Sequence, residues 1–161
     1  DAPALERARR RGIATAVLSD FRSASEWLAL LDGHGAELLA LAGYLKLVPK
    51  GVIARYRDRV LNVHPALLPA FGGPGMYGHR VHEAVLASGA KESGCTLHLV
   101  DEEYDRGAIL GQRRVPVLPG DTPDSLAARV LREEHRILPA AVLAAARAGR
   151  PVPLEPQQVT S

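Results

Sequence analysis

The run Glu37-Leu38-Leu39-Ala40-Leu41-Ala42-Gly43 constrains the fold more than any other stretch of this chain. It is short, almost wholly apolar and set between Gly35 and Gly43. A strand inside a parallel sheet is buried on both faces and reads in just this way, without polar alternation. Parallel neighbours are joined by crossovers, usually helical, so helical periods should flank such a strand. Trp27, Leu28, Leu30 and Leu31 recur at helical spacing behind Ser23 or Ser25 as cap. Pro49 opens an expected helix through Arg57, and Val81, Ala84, Val85 and Leu86 mark another over residues 79–88. Asp121-Thr122-Pro123-Asp124 is a helix start, a cap followed by proline in the first turn. That helix should run to about Ala148, kinked or split at Pro139. Residues 3–11 read as the end of a helix closed by Gly12.

The remaining strand candidates are Ile13–Leu18, Arg59–His64, Cys95–Val100 and Ala108–Val117, the last two suited to antiparallel pairing. Residues 65–78 carry Pro65, Pro69, Pro74 and four glycines, which predicts a loop. This alternation predicts an α/β fold, a Rossmann-like, mostly parallel sheet with helices on both faces. Residues 1–150 form one expected domain, and residues 151–161 a loosely held C-terminal tail. Ligands of such sheets bind at the carboxyl ends of the strands.

Composition narrows the partners. A net charge of +2 makes no case for nucleic acid, and the cluster Arg7, Arg9, Arg10 and Arg11 reads first as a solvated helix end. The single cysteine, Cys95, precludes an intrachain disulfide and suits a reducing compartment. No apolar run approaches the roughly 18 residues of a membrane helix, and no signal-peptide pattern is visible. The expectation is a cytoplasmic protein, monomer or homodimer, that acts on small molecules and engages neither nucleic acid nor membrane.

The chemistry concentrates in Leu61-Asn62-Val63-His64-Pro65-Ala66-Leu67-Leu68-Pro69. Asn62 and His64 stand two apart on a strand, so their side chains share a face. A satisfied polar strand end is the plain reading. The functional one is that both groups donate hydrogen bonds to a developing oxyanion. Asp105, in an acidic turn after a strand, is either a turn residue or the carboxylate that holds His64 charged. His79 and His82 are three apart, a spacing a metal can use, but no clear third ligand accompanies them, and no metal is expected. His98 is placed to support the acidic loop. His135 is read as structural and His34 as a turn residue.

Asn62, His64 and the Pro-x-Leu-Leu-Pro that follows resemble the signature of the folate-dependent formyltransferases. Ser93-Gly94-Cys95-Thr96-Leu97-His98-Leu99-Val100 resembles that family's strand leading to its Asp loop, which places Asp105 at the Asp position. The resemblance implies a catalytic set of Asn62, His64 and Asp105. It also implies a folate site at Leu45, Lys46, Leu47 and Val48 with Asp101, Glu102, Glu103 and Tyr104. Gly75-Met76-Tyr77-Gly78, Val81-His82-Glu83-Ala84-Val85 and Glu133-Glu134-His135-Arg136-Ile137-Leu138-Pro139 favour the phosphoribosylglycinamide branch, where the position of Glu134 binds the amine substrate. The implied reaction moves a formyl group from 10-formyltetrahydrofolate, a cosubstrate, to the amine of glycinamide ribonucleotide in purine biosynthesis. A deformylase usually carries a second histidine where Pro65 stands. A non-catalytic folate-binding module should lack one of the three site residues. A plain nucleotide binder should show a Gly-rich fingerprint, and none is seen. The family's opening strand and its Gly-rich phosphate loop find no counterpart here, so a sheet without its first strand-helix unit is expected. Tyr104, Arg106 and Ala108 replace the residues usual in the Asp loop, and Ala24 stands where an arginine is common.

Overall fold

The computed structural model describes residues 2–155. Its sheet has four strands in chain order: β1 (Leu39–Leu41), β2 (Val60–His64), β3 (Glu92–Leu99) and β4 (Ile109–Pro116). The α/β architecture is the expected one. Its pairing is mixed among the described strands: β1 and β2 run parallel, whereas β2–β3 and β3–β4 are antiparallel. The antiparallel hairpin expected between Cys95–Val100 and Ala108–Val117 is thus β3–β4, longer than expected at its first strand.

Helices cover both faces. In β2, Leu61 and Val63 point to a core shared with Cys95 and Leu97 of β3. That core is closed by Leu126, Val130, Ile137 and Ala141 of α5 (Pro123–Ala148) and by Val85 of α4 (His79–Ala87). Val60, on the opposite face, joins a second core with Val52, Ile53 and Tyr56 on or just after α3 (Lys50–Arg55). Trp27, Leu28 and Leu31 of α2 (Ala24–Gly33) pack against it. Ser23 caps α2, its hydroxyl accepting the Glu26 N–H. Thr122 and Ser125 form a reciprocal capping box at the start of α5. Further along, Asn62, His64, Thr96 and His98 share the Val60 face, because β2 pairs with β3 in the register Asn62–His98 and His64–Thr96.

Several expectations change. Ile13–Leu18 is not a strand: it follows α1 (Pro3–Arg9) as irregular backbone, with Ile13 59% and Val17 71% exposed. Apolar β-branched residues make a strand only where a neighbour accepts the ladder, and no described strand pairs with them. β1 is an edge strand of three residues with Ala40 exposed, so the apolar run of residues 37–43 is less covered than its composition suggests. α5 passes Pro139 unbroken. Pro139 is exposed, where water can take the carbonyl it frees, while Ile137, Ala141 and Ala145 hold the helix down. Residues 151–155 are not loose: the Leu154 N–H bonds the Leu110 carbonyl at 2.7 Å and its side chain packs on the core. The rest of the expected tail, residues 156–161, lies outside the described residues.

Candidate active site

β2 ends at His64, and the chain turns away at Pro65. The carboxyl end of β2, the segment after β1, the loop between β3 and β4, and the first half of α5 enclose a cavity of about 630 Å³. Asn62, His64, His98 and Asp105 line it together. Leu45, Lys46, Leu47 and Val48 line it as well, with Asp101, Glu103 and Tyr104, and Glu134 contributes from α5. Of the residues predicted from sequence, only Glu102 is absent from its wall. Glu102 faces the adjoining cleft, with Lys50 Nζ 3.0 Å from its carboxylate.

The polar groups are wired to one another. His98 is 2% exposed, and its Nδ1 lies 2.8 Å from the Leu99 carbonyl, to which it must donate. Its Nε2 is then the acceptor for Asn62 Nδ2 at 3.1 Å. Burial holds His98 below the ordinary histidine range, which agrees with a neutral ring. At 3.6 Å, and with Nε2 spent as an acceptor, the approach of Asp105 Oδ1 to His98 is not an ion pair. His98 therefore decides which way the Asn62 amide points and leaves its second N–H for a ligand.

His64 is 4% exposed and has acceptors on both sides. Its Nε2 donates to the Phe71 carbonyl at 2.8 Å, and its Nδ1 lies 3.5 Å from Asp105 Oδ2. Asp105 Oδ2 also accepts the Gly73 N–H at 2.9 Å, and Asp105 itself adopts a positive φ of 56°. Such a backbone is uncommon outside glycine, although Asp tolerates it. Asp105 is a turn residue, and its tight turn aims the carboxylate at His64.

Glu134 is partly buried, and burial raises its carboxyl above the ordinary glutamate range. His82 also lines the cavity. It is buried, held below the usual histidine range by burial and then by His79 and His64, and its Nδ1 has no partner. His79 points to Asp124 at 3.4 Å instead. No group of three or more His, Cys, Asp or Glu side chains among the described residues could hold a metal. Cys95 is buried and its thiol is pushed up to about 12, so it stays protonated and is no nucleophile. Thr96, which the sequence alone does not single out, stands on the same sheet face as Asn62, His64 and His98. The alternation Thr96, His98 across from His64, Asn62 was the signal that would have found it.

The family described as Formyl transferase matches residues 1–142. The chain is 50% identical over 144 residues to a chloroplastic phosphoribosylglycinamide formyltransferase of Arabidopsis thaliana, a match that covers 85% of this chain and 49% of that protein. The chain thus spans about half the length of this curated relative. Among solved structures, glycinamide ribonucleotide transformylase 1 of Symbiobacterium toebii superposes with a TM-score of 0.80 at 40% identity, covering 92% of this chain and 70% of that one. A formyltetrahydrofolate deformylase of Pseudomonas syringae shares the fold at a TM-score of 0.78 but only 25% identity, covering 89% and 48%. With that family matching residues 1–142, most of its length, the chain belongs to the formyl transferase family.

Proposed function

We propose that this site transfers a formyl group from 10-formyltetrahydrofolate to the primary amine of glycinamide ribonucleotide. The observation that carries the reading is one cavity with two unlike walls meeting at Asn62, His64 and Asp105. The first wall is residues 45–48 and the loop through Tyr104, rich in backbone groups that suit the edge of a pterin. The second wall is α5 with Glu134, an acceptor suited to the glycinamide end. The names of the plant relative and of the Symbiobacterium structure support the same acceptor.

The amine nitrogen attacks the formyl carbon, and the carbonyl oxygen becomes an oxyanion. Asn62 donates its free N–H to that oxygen, and His64 adds its Nε2–H, shared with the Phe71 carbonyl. The carbon–N10 bond then breaks, and the proton lost by the amine ends on N10. Asp105 keeps His64 oriented and holds a water that relays this proton. The chemistry needs neither a metal nor a covalent enzyme intermediate.

The test follows folate absorbance in the full protein with and without glycinamide ribonucleotide. Turnover that depends on the amine supports the reading, and folate deformylated equally well without it refutes the reading in favour of water as acceptor. Glu134→Gln should raise the KM for glycinamide ribonucleotide on the order of tenfold, the cost of a charge-assisted hydrogen bond, with little change for the folate. Because the Glu134 carboxyl is raised by burial, protonation should weaken amine binding as pH falls, beginning above the ordinary glutamate pKa of about 4.3. The Gln variant should lose that pH dependence, and equal effects on both substrates would remove Glu134 from its role.

A further inference from the structure

Two side chains outside the cavity hold the loop that leaves β2. Thr96 Oγ1 donates to the Ala66 carbonyl at 2.6 Å and accepts the Leu68 N–H at 2.9 Å. Gln112 of β4, opposite Thr96 in the β3–β4 register, joins both: its Nε2 donates to the Leu68 carbonyl and to Thr96 Oγ1, each at 2.9 Å. The Thr96 hydroxyl, fully buried, has then given its one proton and filled both lone pairs. Its direction, and the positions of Ala66 and Leu68, depend on the Gln112 amide.

The same loop returns to the site a few residues later. The Phe71 carbonyl meets His64 Nε2, and the Gly73 N–H meets Asp105 Oδ2. The loop is thus pinned twice, at residues 66–68 by Thr96 and Gln112 and at residues 71–73 by His64 and Asp105. Within the second anchor Gly72 is packed close to both sides: a Cβ there would lie 3.3 Å from the Asp105 Cβ and press the Leu68 side chain. A shift at Leu68 therefore reaches Gly72, which lies beside Asp105 and is bonded to Phe71 and Gly73.

We propose that Gln112 is a positioning residue for formyl transfer, acting through Leu68 and Thr96 to set where His64 and Asp105 stand. The inference rests on the formyl-transfer reading. Gln112 does not line the cavity, so it acts on turnover and not on substrate binding.

Gln112→Glu keeps the shape and removes the donor, and Gln112→Met keeps the length without polarity. In the full protein each should lower kcat by about tenfold or more, the scale set by small misplacements of reacting groups. Both KM values should stay within about threefold. The 15N and 1H signals of the His64 ring should move in the same variants. A kcat within about twofold of the parent with unmoved His64 signals overturns the proposal. So does an activity loss that merely follows unfolding, with the His64 signals of the folded fraction unchanged. If the parent protein transfers no formyl group at all, the functional reading fails, and the His64 signals alone decide whether Gln112 positions the site.

Discussion

Replacing His64 by alanine is expected to lower kcat for formyl transfer by about 10²–10³ while the protein stays folded, the usual cost of one donor to an oxyanion. His64 offers the N–H that reaches the acceptor, and alanine offers none. Asp105→Asn should approach the same loss by another route. Asp105 Oδ2 takes the Gly73 N–H at 2.9 Å and faces His64 Nδ1 at 3.5 Å. An amide in that place can serve Gly73 with its oxygen but then no longer presents a carboxylate to His64. The ring loses the neighbour that favours N–H on Nδ1, and the relay loses its base. The two effects should not add in the double variant, because the groups act as one unit. Steady-state kinetics with circular dichroism of each variant checks this. A kcat within about tenfold of the parent for either variant, in a protein that unfolds at the parental temperature, would remove that residue from the catalytic set.

The shared face of Asn62 and His64 was legible because strand geometry is local. Asn62 and His64 two apart on a short run must share a face, whatever the rest of the fold does. The caps at Ser23 and Thr122 were legible for the same reason, since a cap answers N–H groups within one turn of itself. What escaped depends on pairing between distant segments. Thr96 and Gln112 are ordinary strand residues until β2, β3 and β4 are set in register, and only then do their polar atoms meet Ala66 and Leu68. Ile13–Leu18 failed in the opposite sense. Its composition is that of a strand, but composition does not supply a partner, and the segment lies exposed. Glu102, placed in the folate loop by the family resemblance, lines the adjoining cleft, with Lys50 Nζ 3.0 Å from its carboxylate.

Gly107→Ala should damage both stability and turnover, and it tests whether the fold aims Asp105 as described. The loop between β3 and β4 closes at Leu99, whose N–H donates to the Ala108 carbonyl at 2.9 Å. A Cβ on Gly107 would overlap the Leu99 carbonyl oxygen and sit 2.6 Å from its carbon, so backbone has to move. Overpacking of this kind costs about 1–3 kcal/mol, occasionally more. The displacement falls next to His98, which orients Asn62, and two residues from Asp105, so it cannot stay local to the hairpin. A misplacement of about 1 Å in reacting groups costs on the order of 10²-fold in rate, and kcat should fall by that amount at temperatures where the variant is fully folded. Gly33→Ala at the end of α2 is the matched control: nothing lies within 4 Å of its Cβ, and a helical Gly→Ala change is worth about 0.5–1 kcal/mol in favour of alanine. Denaturant titration and kinetics on both variants separate the outcomes. Parental kcat in a folded Gly107→Ala protein would show that the close approach at Leu99 does not govern Asp105, and the loop would have to be held by Gly73 and His64 alone.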